Sequence, residues 1–342
     1  MRAVLAVPAT PDHPRGQLLD GDVPWPEPGP EDLLVRIQAV AVNPVDLKVH
    51  ASLAAGSEPR LLGWDAAGVV EAVGASVTRF RPGDAVWFAG DIGRPGCYAA
   101  ATLVDHRLAG HCPSNLSWAE AAALPLTTLT AWEALFEQLR LDPDGGDRGR
   151  SLLIIGGAGG VGSIAIQLAR QAGLRVLATA SRPESRAWVR QLGAEAVLDH
   201  SQPLPPQLAS LGLTSVDRIA NFADTDAYWQ TMAELISPRG AIVAIVGSRQ
   251  PLDLEPLKAK SASFHWEFMF TRPRFRTADM DEQGRILERL AARIESGALR
   301  STMTRCFEPI CAATLQQAHD QLRRGRTLGK VVLLGWEPPG GG

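Results

Sequence analysis

The stretch from Ser151 to Gly173, SLLIIGGAGGVGSIAIQLARQAG, constrains the fold more than any other part of the chain. Leu152 to Ile155 are four consecutive apolar residues and read as a short buried strand. The backbone then turns through Gly156, Gly157, Gly159, Gly160 and Gly162 into an apolar-periodic helix from Ser163 to Gln171. Gly157, Gly159 and Gly162 satisfy G-x-G-x-x-G, a spacing in which one glycine makes a tight turn, one admits a pyrophosphate and one lets helix pack on strand. Glycines alone would also suit a flexible surface loop. Here they follow a strand, open a helix, and are succeeded by Gly173 as a helix stop and by a second strand, Arg175 to Ala180. That context reads as a dinucleotide site lined by Gly157, Gly159, Gly160, Val161 and Gly162, with the phosphates at the positive end of the helix dipole.

Around this unit the chain divides into two kinds of pattern. Residues 1 to about 125 read as mostly β, with runs at Arg2 to Val7, Leu33 to Val42, Ala66 to Val73 and Ala85 to Ala89 separated by proline- and glycine-rich turns. Ser117-Trp118-Ala119-Glu120 has the form of a capping box and introduces a short helix, Ala119 to Leu124, which Pro125 should halt; a second helix follows from Leu129 to Leu139. After a polar linker, Asp142 to Arg150, strands at 152–155, 175–180, 196–198, 218–222 and 241–246 alternate with helices, which predicts an α/β, doubly wound parallel sheet. Helices at Asp281 to Ser296 and Cys311 to Arg323 and a strand at Lys330 to Leu334 complete the chain.

The totals exclude several classes. A chain of 342 residues with 45% hydrophobic content supports two domains with substantial cores. A formal charge of −3 leaves no basic footprint for nucleic acid, and no apolar run approaches bilayer length. MRAVLAV reads as a strand rather than a signal peptide, so the expected location is the cytoplasm. The four cysteines, Cys97, Cys112, Cys306 and Cys311, form no C-x-x-C pair and read as reduced thiols.

The pieces Asn43-Pro44-Val45-Asp46, Gly63-Trp64-Asp65-Ala66-Ala67-Gly68, Arg81-Pro82-Gly83-Asp84, Leu126 to Ala131, Gly156 to Gly162 and Gly329-Lys330-Val331, in this order, resemble the medium-chain dehydrogenase/reductase superfamily and, within it, the zinc-free quinone oxidoreductase branch. The resemblance implies a GroES-like β-barrel catalytic domain from 1–125 and 272–342 and a Rossmann cofactor domain from 126–271. The zinc alcohol dehydrogenases of the superfamily place a Cys where this chain has Asn43 and a His-Glu pair where it has Trp64-Asp65. Neither an amide nor an indole replaces those ligands, so no metal is expected.

Dinucleotide sites that select NAD carry an acidic residue at the end of the second strand. Here Ala180 is followed by Ser181-Arg182-Pro183, a hydroxyl and a guanidinium suited to a 2′-phosphate, which favours NADPH. His200 stands where the quinone reductases carry a Tyr near that phosphate; an exposed capping arginine and a surface histidine are the plain alternatives. Thr130, placed by the resemblance near the nicotinamide or equally a helix N-cap, and Val246 and Gly247, at the end of a strand, complete the cofactor set.

For catalysis the candidates are Asn43, Asp46, Lys48 and Trp64. Asn43 and Lys48 are expected to hydrogen-bond substrate or ribose, Asp46 to orient Lys48, and Trp64 to form an apolar wall; an exposed Asp-Lys pair and a core tryptophan are the competing readings. Phe264, Trp266, Phe268 and Phe270 alternate with His265, Glu267 and Met269, as in a strand with an aromatic face, either lining a substrate pocket or pairing with its twin in a homodimer. The resemblance implies hydride transfer from NADPH to a small-molecule quinone or α,β-unsaturated carbonyl. A sensor or accessory protein that binds NADPH with little turnover, and a zinc alcohol dehydrogenase, are the alternatives.

Overall fold

The structure is a computed structural model that describes residues 1–336. It divides into two compact units, Met1–Leu126 with the chain from Phe270 onward, and Thr127–Met269. No helix among the described residues is long and apolar enough to cross a membrane.

The first unit opens with eight strands: β1 (Arg2–Val7), β2 (Gln17–Asp22), β3 (Asp32–Ala41), β4 (Arg60–Leu61), β5 (Ala66–Val73), β6 (Ala85–Phe88), β7 (Ala101–Asp105) and β8 (Ala109–His111). Between β3 and β4 lies helix α1 (Pro44–Ala51), and after β8 comes α2 (Trp118–Ala122). The expected capping box forms: Glu120 donates its N–H to Ser117 Oγ and accepts that of Ser117 at 3.0 Å, an arrangement worth about 1 kcal/mol. β3 is the spine of this unit. It pairs antiparallel with β5 along its length and with β7 over Asp32–Arg36, and nearly all of it is buried.

The capped helix ends at Ala122, before Pro125 as expected, but Pro125 does more than follow a stop. It starts a helix, α3 (Pro125–Trp132), because its fixed φ suits the first turn and its missing N–H is not needed there. Glu133–Gln138 continue as a π-helical turn rather than as regular helix. In the second unit β9 (Ser151–Ile155), α4 (Gly160–Gln171), β10 (Arg175–Thr179), α5 (Pro183–Leu192), β11 (Ala196–Leu198), α6 (Leu204–Ser210), β12 (Val216–Asn221), α7 (Thr225–Leu235), β13 (Ile236–Ala244), α8 (Glu255–Lys258) and β14 (Ser263–Trp266) follow in turn. All six strands are parallel, in the order β11-β10-β9-β12-β13-β14. β9 is central and fully buried, as a strand covered on both faces must be: Leu153, Ile155, Leu177, Ile219 and Ile242 join Trp229, Met232 and Leu235 of α7 in one core cluster.

Two expectations need correction here. β13 begins at Ile236 rather than Ala241, with Arg239 taking a left-handed conformation (φ 61°) inside it, and it ends at Ala244. The aromatic strand covers only Ser263–Trp266; the chain then leaves the sheet, so Met269 and Phe270 are buried while Trp266 and Phe268 stay exposed. The chain returns to the first unit through α9 (Thr271–Phe275) and α10 (Glu282–Glu295). It closes with β15 (Met303–Phe307), α11 (Ala312–Arg323) and β16 (Lys330–Leu334), which adds antiparallel to the end of β3.

Candidate active site

The glycine turn after β9 is held by a side chain that sequence reading missed. Gly156 has φ 82°, and its N–H donates to Thr179 Oγ1 at 3.0 Å, at the end of β10. A Cβ on Gly162 would stand 2.3 Å from Gly156 O, and one on Gly157 2.9 Å from Ala178 Cβ, so both glycines are required for α4 to seat on the sheet. At Gly159 the nearest atom to such a Cβ is Gly156 O at 3.6 Å, and the turn is open on that side. Gly159 is also the N-cap of α4 and no side chain caps the helix, which leaves its first amides and the dipole to an outside anion. Beside the turn, Asn221 pairs in register with Ile155 and is fully buried. Its Oδ1 accepts from Ala223 N at 3.0 Å, while its Nδ2 donor has no acceptor among the described residues. These features fit a dinucleotide phosphate cradle.

At the end of β10 the structure brings together Ser181, Arg182 and His200. Ser181 Oγ lies 3.1 Å from His200 Nε2, and the Arg182 guanidinium lies 3.3 Å from Glu184. The capping alternative for Arg182 is realised in its backbone: it is the N-cap of α5, with its N–H donating to Ser185 Oγ at 3.2 Å. Arg186, not singled out in the sequence, reaches the same strand end, donating to Ala180 O at 3.4 Å. Val246 O accepts from Thr225 Oγ1, and a Cβ on Gly247 would meet nothing within 4 Å. Thr130 is buried on α3.

In the first unit Asn43, Asp46 and Asp65 belong to one buried polar cluster with Lys330, Tyr98 and His319. The Lys330 ammonium donates to Asp65 Oδ2 at 2.9 Å, to Val42 O at 3.0 Å and to Asn43 Oδ1. Asn43 Nδ2 donates to Asp65 Oδ2 at 3.2 Å, and Leu126 N donates to Asp65 Oδ1 at 3.1 Å. Burial raises the Asp65 carboxyl above its ordinary range, against the opposing pull of Lys330 and these hydrogen bonds. Asp46 accepts the Asn43 N–H at 2.7 Å and the Tyr98 hydroxyl at 2.8 Å, and the Tyr98 oxygen lies 3.2 Å from His319 Nε2. Burial pushes Asp46 up to about 7, and the same cause pushes His319 down to about 3.

These contacts correct the catalytic expectations. Asp46 is fully buried and faces Asn43 and Tyr98, whereas Lys48 is exposed, so Asp46 does not orient Lys48; positions two apart on a helix point to different sides. Both ends of the Asn43 amide are bonded inside the protein. Trp64 is 2% exposed, donates its indole N–H to Asp91 O at 3.0 Å and meets Phe270 edge-on, a core side chain. Lys330 belongs to the family piece Gly329-Lys330-Val331, and nothing in its sequence neighbourhood points to Asp65.

The residues at the superfamily's metal position do not fit a metal. Asn43 and Asp65 are tied to an ammonium, Trp64 has no lone pair to give, and the nearby Cys97 thiol is held neutral by burial, which raises its pKa. Among the described residues no three His, Cys, Asp or Glu side chains form a group that could hold a metal ion.

Residues 29–129 match the alcohol dehydrogenase GroES-like domain, and residues 192–333 match the zinc-binding dehydrogenase family. The chain is 43% identical over 309 residues to a zinc-type alcohol dehydrogenase-like protein of Staphylococcus aureus (strain MSSA476), covering 90% of this chain and 92% of that protein. It is 31% identical over 316 residues to the quinone oxidoreductase of Pseudomonas aeruginosa, with coverage of 90% and 92%. A crystal structure of a candidate zinc-dependent alcohol dehydrogenase protein from Rhizobium etli CFN 42 superposes with a TM-score of 0.93 at 47% identity, over 99% of each chain. With a GroES-like domain, a parallel Rossmann-type sheet and relatives that span nine-tenths of it, this chain is an oxidoreductase of the medium-chain dehydrogenase/reductase family.

Proposed function

We propose that this protein is an NADPH-dependent reductase that transfers a hydride to quinones or α,β-unsaturated carbonyls without a metal, and that it works as a homodimer. The observation that carries the reading is the end of β10, where Ser181 Oγ and His200 Nε2 touch each other and the chain continues as Ser181-Arg182 rather than with a carboxylate. A dianionic 2′-phosphate suits such a set, because a guanidinium offers it charge-assisted hydrogen bonds. The glycine turn and the uncapped N-terminus of α4 hold the pyrophosphate.

A bound reduced nicotinamide supplies the hydride. The chain's own residues bind and orient, and none of them polarises a carbonyl as a metal would. Asn43 and Asp46 are positioning residues in this reading, since both ends of the Asn43 amide and Asp46 Oδ2 are bonded within the protein, while Asp46 Oδ1 is buried without a partner among the described residues. Without a Lewis acid an unactivated ketone is a poor acceptor, whereas a quinone or enone is already polarised and its reduced product disperses charge. The relative named quinone oxidoreductase supports that substrate class.

The test is kcat/KM for NADPH and NADH over a panel of quinones, enals and simple ketones. NADPH should be preferred, with turnover confined to the conjugated acceptors. Equal or better use of NADH would sink the nucleotide assignment. NADPH binding with no oxidation over the whole panel would replace this reading with that of an NADPH-binding sensor.

A further inference from the structure

We infer that Lys330 supplies from within the chain the positive charge that a divalent metal would otherwise bring to Asp65, and that by doing so it closes this pocket to metal ions. The inference deepens the metal-free part of the function proposed above and rests on it.

Three observations carry it. The first is saturation. An ammonium has three N–H donors, and Asp65 Oδ2, Val42 O and Asn43 Oδ1 take all three. Asp65 is equally engaged, with Lys330 and Asn43 on one oxygen and Leu126 N on the other. The second is burial. The Lys330 and Asp65 side chains are 4% and 0% exposed, so a competing cation would have to displace an ammonium from a carboxylate that water does not reach. The third is delivery. Lys330 is the first residue of β16, its N–H donates to Thr302 O at 2.9 Å, and Gly329 before it adopts φ 50°. A Cβ on Gly329 would stand 2.1 Å from Thr302 O, so the tight approach that aims Lys330 at Asp65 needs glycine there. The charge therefore arrives on a strand, not on a wandering surface side chain.

Two of the three oxygens around the ammonium belong to Asn43, where the zinc enzymes of this superfamily place a Cys, and to Asp65, where they place the Glu of their His-Glu pair. Removing Lys330 alone would leave a carboxylate, an amide oxygen and a backbone carbonyl facing one cavity. That all-oxygen set suits Ca²⁺ or Mn²⁺ better than Zn²⁺.

The experiment compares wild type, Lys330→Ala, and the doubly neutral Lys330→Met/Asp65→Asn. Metal content is measured after expression with added zinc, and thermal melting is followed with and without Mn²⁺, Ca²⁺, Zn²⁺ and methylammonium; NADPH binding is titrated in parallel. Wild type should hold far less than one metal per chain and show no shift with any cation. Lys330→Ala should melt lower and recover with methylammonium, Mn²⁺ or Ca²⁺. The double variant should melt higher than Lys330→Ala and respond to none of them, and a soluble double variant beside an insoluble Lys330→Ala supports the inference as well. One zinc per wild-type chain, lost on Asp65→Asn, overturns it, as does a Lys330→Ala protein with unchanged melting and no cation response. A zinc-free wild type that fails to bind NADPH would leave this inference standing and remove the proposed function instead.

Discussion

At the scale of residues, Asp46 shows how a polar side chain can matter without touching substrate. Its carboxyl is pushed up to about 7 by burial, so it takes up a proton on folding that the unfolded chain, at the ordinary 3.8, gives up. The folded state then binds more protons than the unfolded one between these values, and stability falls as pH rises through that window and levels off above about 7. Asp46→Asn keeps an acceptor for Asn43 N–H and the Tyr98 hydroxyl but cannot ionise. The variant's melting temperature should fall less than that of wild type from pH 5 to pH 8; parallel profiles would refute the assignment. Arg182 is the residue to test for the nucleotide. Losing a charge-assisted hydrogen bond costs about 1.5–3 kcal/mol, so Arg182→Ala should lower kcat/KM for NADPH by roughly tenfold or more and leave NADH untouched. The glycines, Ser181, Arg182 and His200 were legible because they sit within short windows around one strand end or the next. The Lys330–Asp65 pair was not: its partners are 265 residues apart, and no periodicity links them. Asp46 and Lys48 misled for the opposite reason, since adjacency in sequence suggested a pair that helix geometry forbids.

At the scale of elements, the boundaries that sequence misjudged are those where tertiary contacts override local preference. The π-helical turn Glu133–Gln138 reads as ordinary helix in the sequence. It carries Glu133, which is 4% exposed, and Gln138, which donates to Glu267 Oε2 at 3.3 Å just beyond β14. Burial pushes Glu267 up to about 10, with the neighbouring Glu133 carboxylate and its hydrogen bond adding to the effect. Glu267 is therefore protonated at neutral pH, and it must lose its proton in a nearly dry site as the solution becomes alkaline. By the same sign as for Asp46, stability falls as pH rises toward that value. Glu267→Gln copies the protonated acid's shape and has no proton to lose. Measured against wild type, its denaturant midpoint should climb steadily from pH 5 to pH 9, because the window runs from the ordinary 4.5 to about 10. A lower midpoint at both pH values would show that the carboxyl is needed ionised. By contrast β1, β5, β11 and β16 match their expected residues from end to end, because apolar or alternating runs bounded by turn residues leave a strand few alternatives.

At the scale of the whole molecule, the open question is what covers the edge of the parallel sheet. Among the described residues β14 pairs with β13 alone, so its outer edge presents backbone donors and acceptors to an added strand. The side chains around it point the same way. Trp229 packs edge-on against Phe264 at 5.2 Å, and Phe264 against Trp266 at 4.8 Å, an aromatic ladder that runs from the core of the second unit to its surface. Trp266 and Phe268 end it at 46% and 41% exposure, a large apolar surface for an isolated protein to leave in water. A second copy of the chain, related by a two-fold axis, would extend the sheet and bury both aromatics, which is the homodimer proposed above. Trp266 stands at the rim of the ladder, so Trp266→Lys should disturb the core little while placing a charge at the centre of the joint. Wild type is expected to sediment as a dimer at micromolar concentration, and Trp266→Lys to shift toward monomer with its circular dichroism unchanged. A monomeric wild type, or a variant that dimerises as strongly, would show that the aromatic edge serves something other than self-association.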